Sequence, residues 1–461
     1  MRIWMDVMRD LEHLIEAPEP IFDAWKAGGV DGLVIGPPVF HAGKLAIGHD
    51  RGRSISPSPG TPAPTLTYDP DPAVYERFGV PVPGVPEDMP EARDRLAHTF
   101  RAAKERGLSV WIFQAHTGAG GGSGGHHLHD ETGMAAISAR IVDTLEHYPE
   151  ADGAVMDGPE WGYEIAPHHM GGRSSIFKDL PEGVRPMCAD LGYDYDALCS
   201  ARDRLHERLH DLDPRQVALH APGGFLGGYH LLGADPDLAA WMSFRRDSLT
   251  RYFGRIADGV RQGASRPVKI GVGPRSAAFA PLCGYDFAAL AGIVDLLLPK
   301  HYFWHRGFDG LVGTVARWVE TLCLWNPGLS EGDGLAVVES LFGLVLPGVE
   351  GLGDMERALT SDFYDLVVTQ ETERALAALG GDAQRLCPWV DSGRAPHDGD
   401  PMSAADLRRM LEAAGASGLE RFLYHHHGTL TSGEWRVMSE MCGEPWDPLR
   451  SDYLPPDEMV L

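Results

Sequence analysis

Short β-rich runs alternate with helical patterns from one end of this 461-residue chain to the other. That alternation constrains the fold more than any other feature, because strand–helix–strand units build parallel sheets. Eight strand candidates can be read, at residues 2–7, 30–36, 108–114, 153–157, 268–273, 294–299, 385–391 and 421–426. The seventh is the weakest, since Pro388 lies inside it and has no N–H to give to a ladder. Helical patterns fill most of the gaps, at 90–106, 134–147, 194–212, 237–262, 287–294, 311–324 and 404–414. Eight strands, mostly followed by helices, are the count of a (β/α)8 barrel. An open doubly wound sheet is the competing arrangement. Acids and aromatics recur after several different strands, which favours the barrel.

Insertions account for the extra length. Residues 41–89 are rich in Pro and Gly and follow strand two. Residues 115–131 follow strand three and enclose GAGGGSGG, which reads as a mobile lid. Residues 326–379 separate strands six and seven. No repeat or linker interrupts the pattern. The expectation is one α/β domain over 1–461, a (β/α)8 TIM barrel with long βα-loop insertions.

Apolar residues make up 43% of the chain, enough for a large core, and the net charge is −26. Nucleic acid and anionic membranes repel such a surface. No uncharged apolar run approaches the roughly 18 residues of a membrane span. MRIWMDVMRD has no basic segment followed by an apolar one, and the six cysteines form no CxxC pair. A reduced, cytoplasmic protein is expected; composition does not encode its oligomeric state. Gly120–Gly125 matches GxGxxG, but His126-His127-Leu128-His129-Asp130 separates it from the next helix. A dinucleotide site needs the helix to open at the glycines.

The densest chemistry lies in ADGAVMDGPEWGYE, residues 151–164. Gly153, Val155 and Asp157 share one face of strand four, so an inward face carries Asp157 toward the barrel axis. Glu160 follows in the loop, beside Trp161, whose ring can desolvate a carboxyl. Glycoside hydrolysis needs a proton donor and a second carboxylate. Glu160 is the expected general acid/base. Asp157 and Asp391, the latter ending strand seven across the mouth, are the candidate partners. Glu164 reads as a solvated loop acid. Strand six runs into Lys300, His301, Tyr302, Trp304 and His305, a mixture that can stack on a sugar and bond its hydroxyls. Asp6, Gln114, His116, Arg275 and His425 fall at other strand ends and complete the expected substrate-binding rim.

The run DGAVMD, then WMSFRRDSLTRYFGRIADGVRQ, VKIGVG and VDLLLPKHYFWHRGFDG resembles the barrel of uncharacterised glycosyl-hydrolase-like proteins. The resembling landmarks are Asp157, then Trp241 with Phe244 and Arg245, then Asp295 with Pro299, Tyr302 and Trp304. The resemblance implies a (β/α)8 barrel acting on carbohydrate. The chain departs from many retaining glycosidases in lacking an Asn-Glu pair after strand four, and strand seven ends in Asp391 rather than Glu.

The leading expectation is a glycoside hydrolase that uses a carboxylate pair on a saccharide substrate, without cofactor or metal. One alternative is a metal-dependent barrel hydrolase or sugar isomerase built on His116, His301, His305 and the strand-eight histidines. The other is a carbohydrate-binding barrel without catalysis.

Overall fold

A computed structural model describes residues 1–7, 11–36, 38–41, 44–46, 49–50, 53–54, 65–84, 89–115, 128–172, 174–394, 397 and 399–456. Its principal sheet contains β1 (Arg2–Val7), β2 (Val30–Ile35), β3 (Ser109–Ala115), β4 (Gly153–Asp157) and β5 (Lys269–Gly273). It continues through β6, β7 (Trp389–Val390) and β8 (Arg421–Tyr424). Strand β6 is one stretch in two paired pieces, Leu296–Leu297 and Lys300–His301. The first piece pairs with β5 and the second with β7, all in parallel. Leu298 and Lys300 donate to Val272 and Pro274 on one side. Cys387 and Trp389 donate to Leu297 and Pro299 on the other. Since β8 pairs with β1, the ladder runs round without an edge, and the sheet is a closed barrel.

All eight expected strands are present, with ends shifted by a few residues. Pro388 is tolerated because residues 387 and 389 supply the N–H groups to β6. The Pro388 carbonyl accepts from Leu423 of β8, so only one ladder donor is lost.

Around the sheet lie α1 (Pro18–Ala27), α2 (Pro90–Glu105), α3 (Glu131–His147), α4 (Pro236–Gly263), α5 (Phe287–Ala291), α6 (Thr369–Ala378), α7 (Ala404–Ala416) and α8 (Ser432–Cys442). Local sequence starts them. Asp235 caps α4 ahead of Pro236, and capping boxes Ser403–Asp406 and Thr431–Glu434 open α7 and α8. Helix α4 then buries Trp241, Phe244, Leu249, Phe253, Ile256 and Val260 at helical spacing.

Two expected boundaries change. The connection from β4 to α4 is a long insertion carrying helices Tyr195–Leu209, Pro214–His220 and Gly224–Leu231, so the pattern at 194–212 belongs outside the barrel layer. The insertion after β6 already begins before Leu311–Trp325 and ends before α6, which packs against α5 and α7 as a barrel helix. An amphipathic helix carries the same periodicity whichever surface it covers. Much of 41–89 and all of the GAGGGSGG stretch lie outside the described residues. No described helix is long and apolar enough to cross a membrane.

The barrel is filled, not hollow. Trp4 and Trp111 meet at 5.6 Å between ring centroids, and Phe113 lies 6.4 Å from Trp389. Small residues opposite make the space. A Cβ on Gly32 would fall 2.5 Å from the Trp4 indole, and one on Gly273 would fall 2.1 Å from the Trp389 ring. Gly273→Ala is therefore expected to overpack the interior and destabilise the protein by about 1–3 kcal/mol. The check is the urea midpoint of the variant against wild type; an unchanged midpoint would mean that Trp389 is free to move aside.

Candidate active site at the barrel mouth

Alternation along each strand decides which side chains reach the mouth. The contacts of Trp4, Phe113, Leu298 and Trp389 fix the inward rows. Two residues further along those rows stand Asp6 on β1, Lys300 on β6 and Asp391 after β7. Asp157 ends β4 level with Gly273 of β5, and Arg275 follows Gly273 on the same face. Tyr302 follows Lys300, and His425 follows Leu423 after β8. The geometry thus gathers Asp6, Asp157, Arg275, Lys300, Tyr302, Asp391 and His425 in one place.

These groups form three linked clusters. In the first, Lys300 Nζ lies 3.0 Å from Asp157 Oδ1, above the Trp389 ring. Asp157 keeps 28% of its side chain exposed, while Lys300 keeps 8%.

In the second, Arg275 Nε donates to both Glu160 oxygens at 2.8 Å, and Nη2 also bonds Glu160. The Nη1 end pairs with Asp309. Tyr163 donates its hydroxyl to Asp309 Oδ1 at 2.9 Å, and the guanidinium lies 4.9 Å from the Tyr163 ring centre. Asp309 occupies the left-handed region at φ 69°, where Asp is among the few side chains tolerated. Burial opposes its charge, but Arg275 and Lys300 outweigh burial and hold Asp309 well below the usual carboxylate range. One buried cation therefore stands between two carboxylates.

The third joins the ends of the chain. His425 Nδ1 lies 2.6 Å from Asp6 Oδ2, and His425 Nε2 lies 3.7 Å from Asp391 Oδ2. His397 Nδ1 lies 2.8 Å from the same oxygen, while Gly393 N–H donates to Asp391 Oδ1 at 2.8 Å. Tyr302 stands among the clusters. Burial first, then Asp391, Asp157, Asp309 and Asp6, hold its phenol far above the ordinary value, so it remains an O–H donor.

Other expected rim residues go elsewhere. Gln114 is level with Met156 on the outward face, because its neighbour Phe113 points inward. Trp161 turns to α4, where its indole N–H meets the Arg245 carbonyl at 3.0 Å and Ser248 Oγ at 3.2 Å. His301 faces outward beside Phe303, with neither ring nitrogen hydrogen-bonded. Burial pushes it down to about 3, so it is neutral. Trp304 is wholly buried and stacks under Tyr302 at 4.7 Å. Added Cβ atoms on Gly310, Gly393 or Gly399 would all strike its ring. It supports Tyr302 and offers no face to a sugar. His305 pairs with Asp400 at 2.9 Å. His116 lies outside the described residues. Glu164 is not a solvated acid; it is buried and bonded to Arg317.

Sequence reading missed Asp309, Tyr163 and His397. All three lie in loops, where no periodicity marks which residues turn inward. Asp-Gly pairs beside two of them, Asp309-Gly310 and Asp398-Gly399, were available turn signals.

The sequence matches no protein-family model and no curated protein. Among solved structures, the barrel is similar to the glycoside hydrolase domain of PgaB (BpsB) from Bordetella bronchiseptica, at 11% identity, 95% of this chain and 98% of that one, with TM-score 0.46. It is also similar to a GH18 chitinase from Pseudoalteromonas aurantia, at 8% identity, 96% and 99% coverage and TM-score 0.42. A chitinase from Rhizomucor miehei aligns at 10% identity over 96% of this chain and 100% of that one, with TM-score 0.40. The barrel itself is established by its closed ladder.

Glu371 of α6 anchors the loop that carries Arg275 by accepting from Ala278 N–H at 2.9 Å. Burial raises this carboxyl from 4.5 to about 7, against the lowering by Arg374 and the backbone of residues 277 and 278. Below pH 4.5 it is protonated both folded and unfolded. Between 4.5 and about 7 only the folded chain keeps the proton, so this stabilising contribution declines as pH rises through that window. Glu371→Gln keeps the acceptor and removes the titration. Urea unfolding across the window should show a flatter pH dependence in the variant; equal slopes would separate Glu371 from the effect.

Proposed function

We propose that this protein is a carbohydrate-active enzyme, a glycoside hydrolase that works at the barrel mouth with Asp157 and Glu160 as its carboxylate pair. The observation that carries the reading is the environment of these two acids, which lie three residues apart in sequence. Asp157 is the open one, at 28% side-chain exposure, with Lys300 Nζ 3.0 Å away. Glu160 is the enclosed one, held by an arginine that has a second carboxylate in reserve.

That reserve matters for proton transfer. A proton on Glu160 would leave a lone buried cation in most sites, which is costly. Here Asp309 continues to neutralise Arg275, so Glu160 can carry and deliver a proton to a leaving oxygen. Asp157 then serves the developing positive charge at the anomeric carbon, as nucleophile or as base for water. Tyr302 supplies an O–H donor between the clusters. The same reading leaves Asp391 to the third cluster, where it stands with Gly393 N–H and two histidines.

Aryl and natural glycosides would be offered to wild type, Asp157→Asn and Glu160→Gln. Wild type is expected to release sugar, and each variant to lose about a hundred- to ten-thousand-fold in kcat with its circular dichroism unchanged. Full activity in both variants would refute the pair. Saccharide binding without turnover in wild type would instead make this a binding barrel.

A further inference from the structure

The third cluster has a geometry that the hydrolytic reading does not use. Asp391, His397 and His425 each place a ligand atom within 4.8 Å of the others, and all three side chains are buried. They come from separate places in the sequence, after β7, from the following loop and after β8. The separations of Asp391 Oδ2 from His397 Nδ1 and His425 Nε2, at 2.8 and 3.7 Å, bracket the roughly 3.3 Å between neighbouring ligands of a tetrahedral zinc ion.

Two further observations point to a ligand. His397 is 6% exposed, and its Nδ1, although close to Asp391, has no hydrogen-bond partner in a usable direction. A buried ring nitrogen left this way is expensive unless something else receives it. His425, in turn, has its far nitrogen tied to Asp6 at 2.6 Å. A carboxylate on one imidazole nitrogen fixes the tautomer that leaves the other nitrogen as a lone-pair donor. Asp391 has its second oxygen held by Gly393, and Asp309 Oδ2 stands 3.9 Å from His397 Nε2. Each of the three candidate ligands is thus backed by a group that orients it, or faces one that can.

We infer that Asp391, His397 and His425 form a binding site for a divalent first-row transition metal of the zinc class, with Asp6 as the positioning group for His425. Two imidazoles and one carboxylate suit such an ion and not magnesium, which requires oxygen ligands. Three protein ligands leave a coordination position for water or a substrate hydroxyl. Tyr302 lies 4.9 Å from His397 and 6.1 Å from His425 between ring centroids, which puts the site on the wall of the mouth that holds Asp157. The inference does not depend on the glycosidase reading.

The test is binding, read without turnover. Chelator-stripped full-length protein would be titrated with zinc by calorimetry, with magnesium in parallel. Wild type is expected to bind one zinc ion in a tight phase that magnesium does not reproduce. His397→Ala and Asp391→Asn should abolish that phase. Asp6→Asn should weaken it about 10- to 100-fold, the usual effect of removing an orienting partner. Asp157→Asn should bind like wild type. Cobalt(II) absorption of the tetrahedral type, present in wild type and absent in His397→Ala, would place the ion. A tight phase that survives both ligand variants, or no tight phase in a stripped wild-type protein whose circular dichroism is native, would overturn the site. Metal binding without glycosidase activity would keep the site and discard only the hydrolytic reading.

Discussion

Everything at the mouth depends on the hydrogen bonds along both edges of the stretch 294–301. One edge bonds to β5 and the residue just past it, the other to β7 and the residues just before it, so this strand closes the barrel. Closure converts a local rule into a radial one. Side chains that alternate along an open sheet point to two faces; along a barrel they point to the axis or to the helices. Asp157, Arg275, Lys300, Asp391, His425 and Asp6 converge for that reason. Lys300 shows the dependence directly, since its ion pair with Asp157 spans from β6 to β4.

Closure also sets the electrostatics. Asp6, Asp157, Glu160, Asp309 and Asp391 meet at the mouth with Arg275 and Lys300 as the fixed cations among the described residues. A group of buried acids with too few permanent cations is costly to fold. It persists here because each acid has directed partners: Arg275 for Glu160 and Asp309, Lys300 for Asp157, histidines for Asp391 and Asp6. Such a concentration of negative charge suits a proton donor, the stabilisation of a cationic transition state, or a metal ion. The supporting layer is apolar and tight. Trp304, enclosed by Gly310, Gly393 and Gly399, fixes Tyr302 from behind and joins the β6 loop to the loop bearing His397.

The strands were legible because burial on both faces and short length leave a clear signature in parallel barrels. The common face of Gly153, Val155 and Asp157 was legible too, though only the closed barrel made that face the inward one. Trp161 shows where that method stops. It follows the same strand and has the right chemistry, yet its indole is used to dock the loop on Arg245 and Ser248 of α4. Gln114 and His301 stop one residue out of phase with the inward row. Asp309 and His397 belong to loops whose course no local pattern describes.

Sequence alone determined the α/β alternation, the eight strands, and the delivery of Asp157 and Glu160 just past strand four. Those are local properties, governed by hydrophobic periodicity and by residue spacing. The tertiary structure alone decided that Glu160 shares Arg275 with Asp309, and that Asp6 at the start of the chain holds His425 near its end. It also decided that Asp391 meets two histidines. Apart from Asp391 and His397, which share one loop, those contacts join residues tens to hundreds of positions apart. Only ring closure brings them within bonding distance, and no short stretch of sequence carries that information.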